Sequence, residues 1–290
     1  MKAEDRLANW ALFTGLSIIW GSSFILMKLG LQTLSAYQVA SLRILSAGII
    51  LLPAAIKKIK TIRRNRLPLI LLSGFLGSFF PAFLFCIAET RINSALTGIL
   101  NALTPVFTVI FGITLFATPV ARKKIIGVAI GFVGLCLLFF GRGNIDLTYI
   151  SFALLVVLAT VSYGLNTNIV NRYMRDLKSL DIASFAFGML IIPCLLILWF
   201  TGFFSLDFSS HALRMSVLAC SVLGIMGTAV ASVMYYLLIK KSGTIFTSMV
   251  TYAIPVVAIG WGTLYNEQVV LWELVCLAII LAGVALTSKN

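Results

Sequence analysis

Arg43 has the most chemistry to offer in this sequence, because it lies inside a long apolar run, Ser35 to Ile56. It stands a little over two turns into that run, roughly 12 Å below the near end if the run is helical. A guanidinium so placed must snorkel, pair or meet water. Either it faces a cavity and holds a carboxylate, bidentately where the geometry allows, or it is structural. In the structural case it caps the carbonyls of a broken helix, or pairs with Glu89 and fixes the fold.

The uncharged polar groups follow the same logic. Ser23, Asn101, Tyr163, Asn166 and Tyr252 all fall within apolar runs, as do Ser22, Thr104, Ser162 and Asn168. An amide facing hydrocarbon is costly and one facing a wet cavity is not, so Asn101 and Asn166 either line a polar pathway or bridge two helices. Trp20, Tyr163, Tyr252 and Trp261 could wall an aromatic cavity for an apolar or aromatic ligand. Pro105 and Pro255 each remove a helical hydrogen bond, and act as hinges or as static kinks. Glu89 and Glu267, at the ends of apolar runs, are the acids placed to serve a gate or a proton step.

Other chemistry is missing. The single histidine, His211, falls in a loop, and neither an HExxH pattern nor paired acids occur within the apolar runs. An enzyme acting at membrane depth is therefore not expected, and neither is a metal or any other cofactor. Cys86, Cys136, Cys194, Cys220 and Cys276 all lie in apolar runs at spacings that suit neither a loop disulfide nor a metal site. The gaps between runs are too short for a nucleotide-binding domain with its Walker motif, so ATP is not the direct fuel.

The elements that must position these residues follow from composition. The chain is 60% hydrophobic and 11% charged over 290 residues, with a mean hydropathy of +1.07. A core that apolar needs lipid as its solvent. Crossing roughly 30 Å of hydrocarbon takes about 20 helical residues, and ten stretches qualify: Asn9 to Leu29, Ser35 to Ile56, Leu67 to Ala88, Ser94 to Phe116, Lys123 to Gly141, Thr148 to Asn171, Leu180 to Thr201, Ala212 to Leu238, Gly243 to Leu264 and Gln268 to Thr287. Lipid offers no partner to a free backbone amide or carbonyl, so an all-α membrane protein of ten transmembrane helices is expected. The first run is too long for a secretory signal, lacks a cleavage pattern and is expected to be retained.

Orientation follows from the basic residues. With the amino terminus inside, 17 of the 22 lysines and arginines fall on the cytoplasmic side, which places both termini in the cytoplasm. The run Lys57 to Arg66 reads as part of this bias rather than as a nucleic-acid patch, and the bias accounts for the net charge of +13.

The sequence also repeats. Thr97, Pro105, Val106 and Gly112 recur as Thr247, Pro255, Val256 and Gly262 at an offset of 150, while Trp20-Gly21 and Ala40-Ser41 align with Tyr163-Gly164 and Ala183-Ser184 at an offset of 143. Two five-helix units, 1–143 and 144–290, are implied. Five is odd, so the two units are inverted relative to each other in the membrane. That architecture belongs to carriers whose related halves enclose a midplane site and expose it alternately to each side. Arg43 falls opposite Ala186, so its role is confined to one half. Gly127 and Gly131, with Gly134 beyond, and the pair Ala278 and Ala282 form small-residue faces that join the halves within one chain or join two chains as a homodimer.

These motifs resemble, in order and over essentially the whole chain, the EamA-type branch of the drug/metabolite transporter superfamily. Trp20-Gly-Ser-Ser-Phe-Ile-Leu-Met-Lys-Leu-Gly30 resembles the first-helix motif of that family, and Ala40-Ser-Leu-Arg43 its second-helix arginine motif. Thr104-Pro105-Val and Ile254-Pro255-Val resemble its paired proline motifs, and Asn266-Glu267-Gln268 its acidic turn. The matching turn after the fourth helix reads Phe116-Ala-Thr-Pro119 and lacks the acid, which confines any gating role of Glu267 to one half. The resemblance implies a bacterial inner-membrane exporter or exchanger of amino acids or other small metabolites. A lipid or headgroup flippase on the same scaffold is the alternative.

Overall fold

The computed structural model describes residues 3–92, 94–140, 150–264 and 271–288. These form the helices α1 (Ala3–Leu31), α2 (Ala36–Lys58), α3 (Leu67–Gly74), α4 (Phe80–Ala88), α5 (Ser94–Asn101), α6 (Thr104–Thr114), α7 (Arg122–Phe140), α8 (Ile150–Tyr173), α9 (Ser179–Phe200), α10 (His211–Val222), α11 (Ala231–Ser242), α12 (Thr244–Ser248), α13 (Val250–Leu264) and α14 (Leu271–Ser288). Among the described residues, six continuous helical stretches are long and apolar enough to cross a membrane: Arg6–Leu31, Ala36–Lys58, Arg64–Ala88, Ile150–Tyr173, Ser179–Phe200 and His211–Ser242. Their outward faces carry large apolar side chains such as Ile49, Ile50, Ile192, Trp199 and Phe200. Such a surface is stable only against lipid, and the protein is an integral membrane protein.

Two of these stretches are not uniform α-helix. A π-helical segment, Phe75–Phe79, joins α3 to α4, and a second, Leu223–Val230, joins α10 to α11. A π turn takes in an extra residue and re-aims the next turns of helix, a device common at functional sites. The stretches expected at 94–116 and 243–264 are broken as well, the first between α5 and α6 and the second at Met249 between α12 and α13.

Packing crosses between the halves. Helix α2 lies along α9, α7 along α14, and α1 against α13. The α7–α14 contact is a close backbone approach: a Cβ on Gly283 would sit 2.6 Å from the Gly127 carbonyl oxygen, and one on Gly127 2.8 Å from that of Gly283. The glycine face is thus used within the chain. Ala278 and Ala282 point the other way and are exposed, while Cys276, Ile280 and Val284 are buried.

Both ends of the molecule carry bonds from one half to the other. At one end Arg66 forms an ion pair with Asp176 at 2.7 Å and donates to the Tyr173 carbonyl at 3.0 Å. At the other, a capping box of Ser35 and Gln38 starts α2. The amide of Gln38 also donates to the Thr201 carbonyl at 3.0 Å, and the Ser216 hydroxyl to the Leu29 carbonyl at 2.7 Å.

Candidate functional site

Where the two halves meet, the helices leave a cavity of about 110 Å³, room for several waters or a small organic solute. Seven of the residues singled out from sequence stand on its wall: Trp20, Ser23, Arg43, Asn101, Thr104, Tyr163 and Asn166. Each is held differently. The Trp20 indole N–H donates to the Gly227 carbonyl at 3.0 Å, inside the second π segment. Arg43 donates from Nε to Thr228 Oγ1 at 3.2 Å. Asn166 accepts at Oδ1 from the Ser73 hydroxyl at 2.6 Å, and that hydroxyl lies 3.4 Å from the Tyr236 hydroxyl. The Ser23 hydroxyl turns back to the Ile19 carbonyl at 2.7 Å.

Asn101 ends α5 at the helix break. Pro105 has no N–H to offer the Asn101 carbonyl one turn back, and the Thr104 hydroxyl takes that carbonyl instead at 2.8 Å. Pro105 therefore opens a new helix rather than bending a continuous one. Pro255 lies inside α13, beyond the break at Met249. The two prolines are equivalent in sequence but stand in different local structures.

Tyr252 lies off the cavity. It is fully buried, its hydroxyl donates to the Val128 carbonyl at 3.1 Å, and its ring fills the space beside Gly131. It is a packing residue between α13 and α7. Asn168, two positions from Asn166, bridges helices by donating to the carbonyls of Thr108 at 3.0 Å and Gly164 at 2.9 Å. Glu89 closes the end of α4, away from the cavity wall. Trp261 is described in its helical backbone alone, and Glu267 lies outside the described residues.

The wall also holds Gly77, Ser78, Gly227, Thr228, Tyr235 and Tyr236, which the sequence reading passed over. A signal for the first four existed. Gly74-Phe-Leu-Gly77-Ser78 recurs as Gly224-Ile-Met-Gly227-Thr228 at the same offset of 150 that relates the proline motifs, and both copies overlap the π segments. A Cβ on Gly77 would fall 2.2 Å from Asn166 Nδ2, and one on Gly227 2.7 Å from Ser23 Oγ. Ser23 and Asn166 are themselves repeat equivalents at the offset of 143. The aromatic pairs obey the same relation. Trp20 meets Tyr235 with ring centroids 5.3 Å apart, and Tyr163 meets Phe85 at 6.1 Å.

The profile of the EamA-like transporter family matches residues 9–140 and again 150–289. The chain belongs to this family. EamA proteins are transporters, so this is a membrane-embedded secondary transporter of the drug/metabolite superfamily that handles a small molecule, and it is not an enzyme. Among its relatives is an uncharacterised inner membrane transporter, YedA, of Escherichia coli strain K12, 25% identical over 297 residues that cover 99% of this chain and 93% of that protein. Another is a "Probable amino-acid metabolite efflux pump" of the same strain, 24% identical over 274 residues, 93% of this chain and 82% of that protein. A crystal structure at 15% identity superposes with a TM-score of 0.75 and covers 99% of this chain and 97% of that one. That likeness speaks for the fold alone.

Proposed function

We propose that this protein moves a small organic solute, an amino acid or another small metabolite, by alternating access through the cavity between two inverted five-helix units, 1–143 and 144–290. One observation carries the reading: the cavity wall is assembled from repeat-equivalent positions of both halves. Trp20 and Tyr163, Ser23 and Asn166, Gly77 and Gly227, Ser78 and Thr228, and Asn101 and Thr251 all stand on it. A site on the pseudo-symmetry axis of two related units is what rocking one unit against the other exposes to each side in turn. Bonds between the halves at both ends support this reading, since one set must open for each face to open.

Ten spans with both termini in the cytoplasm fit the basic-residue bias, and Arg66, Asp176 and Lys240, whose Nζ donates to the Leu177 carbonyl, meet at one end as that topology requires. Relatives named as an inner membrane transporter and an amino-acid metabolite efflux pump support a bacterial inner-membrane location and outward transport or exchange.

The test is uptake of labelled amino acids and small metabolites into proteoliposomes, wild type against Arg43→Ala at matched amounts. Saturable flux of a small solute, lost in a folded Arg43→Ala protein, is the expected result. Lipid scrambling with no solute flux would overturn the reading in favour of a flippase.

A further inference from the structure

Arg43 is the one charged side chain among the described residues lining the cavity, and neither aspartate nor glutamate stands on that wall. We propose that the solute is an organic monoanion with an apolar body, whose single charge completes the cavity, so that the protein closes around it and exchanges one anion for another. This rests on the transporter reading above and narrows it.

On the wall, the Arg43 guanidinium donates from Nε to the neutral hydroxyl of Thr228 at 3.2 Å, which orients it, while the buried carboxylate of Glu89 belongs to the end of α4, off the wall. The fork of terminal N–H groups remains for a ligand, and its geometry matches a carboxylate or sulfonate. The Trp20–Tyr235 and Tyr163–Phe85 pairs offer aromatic faces to the rest of the molecule. The repeat counterpart of Arg43 is the fully buried Ala186, so the other half adds no second cation.

Charge balance then ranks the ligands. Closing an empty cavity takes a guanidinium that has no acid beside it on the wall out of water, which is expensive. A monoanion leaves the closed cavity neutral. A zwitterion leaves it with one positive charge and no carboxylate for its ammonium, a cation adds to the imbalance, and a dianion reverses it. The loaded protein therefore closes far more readily than the empty one, and return without cargo is slow.

Probes of fixed charge and similar size test this in proteoliposomes of wild-type protein: toluenesulfonate, phenylalanine, benzyltrimethylammonium and benzenedisulfonate. A charge-assisted contact contributes enough to change binding by about tenfold or more. Labelled toluenesulfonate is expected to enter vesicles preloaded with unlabelled toluenesulfonate at least about tenfold faster than empty ones, and to outcompete the other three by a similar factor. Arg43→Gln, checked for folding by thermal unfolding and size exclusion, loses both the preloading requirement and the charge preference. Arg43→Lys keeps the preloading requirement at weaker apparent affinity, because an ammonium retains the charge without the fork. Equal filling of empty and loaded vesicles by wild type, or preference for phenylalanine or the cation, overturns the inference and leaves the transporter reading standing. Absence of flux for every solute from folded protein overturns the transporter reading, and this inference with it.

Discussion

The two halves build the cavity from the same positions with different chemistry. The first contributes Trp20, Ser23 and Arg43; the second puts Tyr163, Asn166 and Ala186 at the equivalent places. The close approaches are shared in place but not in tightness: glycines in and beside each π segment let a neighbouring helix of the other half approach, more closely at Gly224 than at Gly74. The polar groups are not shared. Asn166 is tied across helices to Ser73, whereas Ser23 bonds only within its own helix. On the alternating-access proposal, the common geometry serves movement of the halves against each other, and the differences serve what is held between them.

The glycines give the sharpest way to break that division. A Cβ on Gly224 would lie 2.4 Å from the Arg43 carbonyl oxygen, backbone that cannot yield, while one on Gly74 would lie 3.2 Å from the Ala186 Cβ. Gly224→Ala should destabilise by about 3 kcal/mol in thermal unfolding, and Gly74→Ala should stay within about 1 kcal/mol of wild type because gained helix propensity offsets mild crowding. Equal effects would mean that the two contacts are alike after all. Asn166→Ala leaves the buried Ser73 hydroxyl without its short bond and should cost about 2 kcal/mol, against less than about 0.5 kcal/mol for Ser23→Ala.

Smaller effects sharpen the comparison. Tyr252→Phe removes the bond to Val128 and should cost about 1 kcal/mol, with transport per folded molecule unchanged since the ring lies off the cavity. A loss of transport would return Tyr252 to the site. Ala117, at the position offset by 150 from Glu267, lies three residues past the end of α6 in the left-handed region at φ 45°, with the Thr118 N–H on the Gly112 carbonyl at 2.8 Å. Glycine is the residue that such a cap prefers, so Ala117→Gly should stabilise by about 0.5–1 kcal/mol.

Large-scale features were legible in the sequence because lipid imposes them: long apolar runs and seven of the cavity residues follow from what hydrocarbon cannot tolerate. Rotation about a helix axis was not legible. Asn166 and Asn168 look alike in sequence, yet a two-residue step turns the side chain through more than half a turn, from the cavity to a bridge on Thr108 and Gly164. Tyr252 was misplaced for the same reason. The π segments were hidden because a change of backbone register leaves little trace beyond paired glycines. The different settings of Pro105 and Pro255 depend on where each helix breaks, which tertiary packing decides.

The lengthwise packing of α2 on α9 has a consequence for biogenesis. The buried face of α2, with Val39, Ala40, Ile44 and Ala47, is matched by a helix that the ribosome has not yet made when α2 enters the bilayer. At roughly 5–20 residues per second the delay is on the order of ten seconds. Over that interval the nascent first half sits in the membrane unfinished, and the insertion machinery or surrounding lipid must cover a surface meant for its twin.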